Sequence, residues 1–137
     1  MTHKTTRYGI STTVPLPYER ALDRTREELA KEGFGVLTEI DVRATLKKKL
    51  DVDFRPYVIL GACNPPLAHR ALSAERDIGL LLPCNVIVYA DDEPGMSTVA
   101  VLDPVEALSL SGNQEIAPLA DEVRGRLERV VRVLAEG

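Results

Sequence analysis

At 137 residues, with 45% hydrophobic and 28% charged side chains, the chain has the size and composition of one folded domain whose core needs no disulfide or metal. A net charge of -4, 4% aromatic residues and no Trp exclude the basic surface or stacking rings that nucleic-acid binding calls for. No apolar stretch reaches the ~20 residues of a membrane helix, and the N-terminus has no secretory apolar core, so a cytoplasmic protein without membrane or nucleic-acid partners is expected.

Residues 1–5 read as a flexible N-terminal tail on a single domain, 1–137. Thr6 to Val14 is rich in β-branched residues and predicts a first strand. Pro15 and Pro17 end it, and Tyr18, Ala21, Leu22, Thr25 and Leu29 then recur at helical spacing. Gly33 suits a left-handed helix cap. Gly35 to Ile40 predicts a second strand, and Asp41 can cap a short helix with Val42, Leu46 and Leu50 on one face. Lys47, Lys48 and Lys49 lie within that pattern as a solvated face.

Arg55 to Ala62 has a continuous apolar centre and reads as an interior strand. Asn64 then opens a helix through Ala74, with Pro65 and Pro66 in its first turn and Leu67, Ala68, Ala71 and Leu72 facing inward. Asp77 to Leu82 reads as an extended return, and Asn85 to Ala90 as a buried strand. Asp91-Asp92-Glu93-Pro94-Gly95 marks a solvated turn rather than a cation loop, leading into a strand from Ser97 to Leu102. Asp103-Pro104 starts a short turn or helix. Ile116, Leu119, Ala120, Val123, Leu127, Val130, Val131 and Leu134 hold one helical face to the end of the chain.

The short turn at 91–95 makes its two strands antiparallel, which excludes an all-parallel doubly wound sheet. The expected architecture is α+β in two layers, a mixed and largely antiparallel sheet with helices packed on one face. A free sheet face or edge suggests a homodimer.

Two near-matching phrases, Gly61-Ala62-Cys63-Asn64-Pro65-Pro66 and Leu82-Pro83-Cys84-Asn85, hold both cysteines. Together with the Ser11-Thr12-Thr13-Val14 strand, the Gly33-Phe34-Gly35-Val36 entry to the second strand and the Asp103-Pro104 turn, they resemble the family called domain of unknown function 302. The resemblance implies a small α+β domain, often dimeric, with no assigned reaction and no catalytic residues to carry over.

Cys63 follows one strand and Cys84 precedes the next. A ten-residue helix travels ~15 Å outward and an extended run returns a comparable distance, which brings the cysteines together at one sheet end. Several chemistries fit such a pair. Cys63, Asn64, Cys84 and Asn85 could border a small-ligand pocket. Cys63 and Cys84 with His69 could hold a soft metal, Zn²⁺ or Cu(I). Cys63, ahead of a helix start that would lower its pKa, could act in thiol redox or nucleophilic chemistry. Both thiols could instead be core groups of a scaffold or interaction subunit. Asn64 is in addition a natural helix cap, and the Leu82-Pro83 bond is a candidate cis peptide. Whether the chain is an enzyme stays open at this point.

Overall fold

The computed structural model describes residues 3–137, with side chains from residue 6 onward. Six strands form one sheet in the order β1-β2-β6-β5-β4-β3, with β1 His3–Thr5, β2 Gly9–Val14, β3 Gly35–Asp41, β4 Tyr57–Cys63, β5 Cys84–Ala90 and β6 Ser97–Leu102. Every pairing is antiparallel. With its helical layer this is the two-layer α+β architecture expected from the sequence. The first strand differs in detail: the β-branched run begins at Gly9, and His3–Thr5, read as tail, pair back onto β2. Residues 1 and 2 of that expected tail lie outside the described residues.

Among the described residues five α-helices accompany the sheet: α1 Tyr18–Lys31, α2 Val42–Leu50, α3 Pro65–Ala74, α4 Pro104–Leu108 and α5 Ala117–Ala135. Alternation along the strands sends Val58, Leu60, Val86, Val88, Val99 and Val101 to one face, where α1 and α5 cover them. Each large side chain fully buried there contributes roughly 1.5–3 kcal/mol. The C-terminal helix buries the face the sequence predicts: Leu119, Ala120, Leu127, Val130, Val131 and Leu134.

The end of α1 is built by two backbone bonds. Gly33, at φ +84°, donates to the Ala30 carbonyl and Phe34 donates to that of Leu29, both at 3.0 Å. This Schellman closure needs a left-handed residue, which glycine supplies without strain. It also drops Phe34 into the same core as Leu29. Asp41 caps α2 by accepting from Ala44 N–H at 2.9 Å. The lysines of that helix are exposed, Lys47 pairing with Asp51 and Asp53.

A second, smaller core joins α3, α4 and the first turns of α5 around Leu67, Ala71, Ile78, Leu108, Ile116 and Leu119. Here the segment read as extended differs. Arg76–Leu81 is a 3₁₀ helix, with Ile78 buried in that core and Gly79 and Leu80 outside it. Its rise of ~2.0 Å per residue still carries the chain back toward the sheet. Val123 packs against both cores and joins them.

Candidate functional site

The two Cys-Asn phrases meet at one end of the sheet. In the β4–β5 ladder Ala62 pairs with Cys84 and Gly61 with Asn85, so Cys63 stands one residue beyond the partner of Cys84. The neighbouring-cysteine expectation therefore holds, because the strands run antiparallel and the helical excursion returns to its starting edge. Asn85 points to the opposite face, exposed, and does not join the group.

Gly61 allows the strand ends to close up. A Cβ at this position would occupy the space of Thr38 Oγ1 and come within 2.9 Å of Pro83 Cγ. The Leu82–Pro83 bond is cis, as its sequence allowed.

Asn64 begins α3. Its Oδ1 accepts from Leu67 N–H at 3.3 Å and its own carbonyl accepts from Ala68 N–H at 2.8 Å. Pro65 and Pro66 have no N–H to offer. The first turn of α3 thus has no free backbone donor for a thiolate at Cys63, and the expected lowering of its pKa does not occur. Burial instead raises the Cys63 pKa above its ordinary value. Cys84, buried more deeply, is pushed up to about 11, first by burial and then by its neighbour Cys63. Both thiols are neutral at physiological pH.

Between the two cores lies a cavity of ≈ 300 Å³, at the lower end of the range for small-molecule pockets. The sheet end contributes Ala62, Cys63 and Cys84, α3 contributes Leu67 and Ala71, and α5 contributes Leu119. The wall is almost wholly apolar. Leu72 opens onto it, 42% exposed rather than turned into the core as the helical pattern suggested, and Leu37 at 67% stands across from the same space. Leu80, 88% exposed, is next to the lining residue Gly79.

His69 is on another surface, exposed beside Arg70, Ser73 and Glu115. It does not approach the cysteines as a third metal ligand, because it lies on the side of α3 turned away from the cavity. Among the described residues no three His, Cys, Asp or Glu side chains form a group able to hold a metal ion. The acidic turn is a turn: Asp91 N–H bonds the Met96 carbonyl, Arg55 pairs with Asp92, and Gly95 takes φ +77°.

A small-ligand pocket bordered by Cys63, Asn64, Cys84 and Asn85 is expected from the sequence at this sheet end; its walls from α3 and α5, and Arg126, are not. Arg126 lies on α5 one turn beyond the cavity-lining Val123, and its Nη1 donates to the Glu32 carbonyl at 2.9 Å. Leu37 and Leu80 are large apolar residues left exposed beside this opening.

A family model described as domain of unknown function DUF302 matches residues 10–134. The crystal structure of an uncharacterized conserved protein DUF302 from Bacillus stearothermophilus is similar, with a TM-score of 0.83 at 29% identity over 93% of this chain and 98% of that one. No curated protein matches the chain. Among the described residues no helix is long and apolar enough to cross a membrane.

Proposed function

The chain belongs to the family of domain of unknown function DUF302, and from that premise we propose that it binds a small, largely apolar ligand in the cavity walled by Cys63, Asn64 and Cys84. The observation that carries this reading is the cavity itself. Close packing leaves few voids larger than a water in a protein interior, yet here an apolar space of ≈ 300 Å³ lies between two otherwise dense cores and opens past exposed leucines. Water gains little in such a space, whereas an apolar molecule gains the burial of its surface.

The thiols serve this reading as wall. A soft metal, Zn²⁺ or Cu(I), would have two thiols as its only ligands here, both held in the protonated form by burial. Thiol catalysis asks of Cys63 a lowered pKa, and burial moves it the other way.

Thermal unfolding in 1-octanol tests the reading. Saturating 1-octanol raises the Tm of the wild-type protein, because a ligand bound only by the folded state adds RT ln(1 + [L]/Kd) to its stability. Ala68→Leu places a larger side chain in the lined space while keeping a good helix former, and is expected to remove the shift. An equal rise in both proteins would place the alcohol elsewhere, and no rise in the wild type would overturn the reading. A scaffold with the cysteines as core also predicts no rise.

A homodimer in the cytoplasm belongs to the same proposal. The sheet face away from α1 and α5 carries Ile40, Ile59 and Ile87 with the stacked rings of Tyr57 and Tyr89, centroids 5.2 Å apart, the apolar surface a second copy would cover. Sedimentation equilibrium is expected to give twice the 15.0 kDa chain mass. A monomer at all micromolar concentrations would remove this part of the proposal and leave the cavity untouched.

A further inference from the structure

Among the described residues no charged side chain lines the cavity, and its polar side chains are Thr38, Asn64 and the two cysteines. Asn64 is buried and commits Oδ1 to the Leu67 N–H, while its own carbonyl accepts from Ala68 N–H. Cys63 and Cys84 are neutral thiols, weak as donors and as acceptors. The start of α3 adds no anion site, because Pro65 and Pro66 have no N–H and the next two donors are bonded to Asn64. Arg126 stands outside the lining, its Nη1 donating to the Glu32 carbonyl and its Nη2 to Glu122 at 3.2 Å. Gly33 lies against both it and Asn64: a Cβ there would stand 3.6 Å from Arg126 Nη1 and 3.0 Å from Asn64 Nδ2. At the opening the exposed residues of the wall are Leu37 and Leu72. An ion in this space would lose its water and gain no partner of opposite charge. That loss is far larger for an ionised carboxylate or ammonium than for a hydroxyl.

We propose that the cavity selects by charge, taking an uncharged molecule such as an alcohol, ester or hydrocarbon and refusing carboxylates and ammonium ions of the same chain. This rests on the reading of the cavity as a ligand site. A space of ≈ 300 Å³ has room for about ten non-hydrogen atoms at water's ~30 Å³ each. A medium-length chain with its head group therefore fills it, and the head is left against the apolar wall or the leucines of the opening rather than far out in water. Fatty acids and alkylamines are thus excluded by what the wall lacks, and not by size.

Calorimetric titration of the full chain with 1-octanol, sodium octanoate and octylammonium chloride tests the charge apart from the chain. At neutral pH the three probes share one alkyl chain and carry a neutral, an anionic and a cationic head. The wild type is expected to bind 1-octanol at least about tenfold more tightly than either ion. Ala68→Leu, which fills the lined space, should weaken 1-octanol and leave any residual binding of the ions unchanged. An ion bound by the wild type within about tenfold of 1-octanol, and weakened by Ala68→Leu as 1-octanol is, would overturn the selection by charge and leave the cavity reading standing. Failure of 1-octanol to bind, or binding that Ala68→Leu does not weaken, would overturn both.

Discussion

Gly61→Ala lowers the stability of the domain by about 1–3 kcal/mol, the usual cost of forcing an atom into packed structure. Its Cβ would overlap Thr38 Oγ1 and stand 2.9 Å from Pro83 Cγ. Threonine can turn its hydroxyl away, but the proline ring has no such freedom. Removing a glycine from the unfolded chain works in the opposite direction, by ~0.4–1 kcal/mol, and is the smaller effect. Gly35→Ala is the control two strands' width from Pro83: its Cβ meets nothing within 4 Å, and the same chain-entropy gain should appear there unopposed. Adding Thr38→Ala to Gly61→Ala should recover part of the loss, and the part not recovered belongs to Pro83. Urea unfolding of the four proteins reads all of these quantities. A neutral Gly61→Ala would mean that the β4–β5 end is not closed as tightly as described.

The second large effect is with pH. A thiol in the unfolded chain ionises near 9.0, whereas folded Cys84 holds its proton to about 11. Between those values the unfolded state has lost the proton and the native state has kept it, so the stabilisation present below pH 9 falls away as pH rises through the folded value. At ~1.4 kcal/mol per unit of pKa shift, the loss is roughly 2–3 kcal/mol. Tyrosines and lysines titrate in the same window, so the comparison is with Cys84→Ala. That variant is less stable at pH 8 by about 1–2 kcal/mol from lost packing, and the gap to wild type should close and reverse toward pH 11. Two curves that stay parallel across the window would show that Cys84 is not buried as a neutral thiol. Cys63 shifts in the same direction and is present in both proteins, but because it adds to the Cys84 shift the difference between the curves reads Cys84 together with that coupling.

The convergence of Cys63 and Cys84 was legible because it follows from chain geometry alone: one strand ends, a helix leads out, and an antiparallel strand begins where the first stopped. Asn64 and Asp41 were legible as caps because capping is local chemistry. The 3₁₀ segment was not, since Asp77 to Leu82 is a nearly continuous apolar run with no period of its own; packing of Ile78 into the second core decides its shape. Cys63 misled for a related reason. A cysteine ahead of a helix suggests an activated thiol, but the prolines that announce the helix also remove the amides that would stabilise its anion. His69 would have needed to turn toward the cysteines, and the helix turns it away.

The Cys-Asn phrases marked the place of the cavity, but its form left almost no trace in the sequence. It exists because α3, α4 and the 3₁₀ segment build their own core around the start of α5 and meet the sheet core through Val123 without closing on it. No window of residues records a gap between two clusters. The meeting of Gly33, Asn64 and Arg126 is likewise tertiary, joining a helix cap, a strand end and the last helix.

That the cavity is a binding site is tested most directly by ¹H–¹⁵N correlation spectra of the full chain titrated with 1-octanol. Saturable shifts are predicted at the amides of Ala62, Leu67, Ala68 and Leu119, around the cavity wall, with Ile87 on the open sheet face unmoved. Shifts that never saturate, or that centre on the open face, would contradict the account.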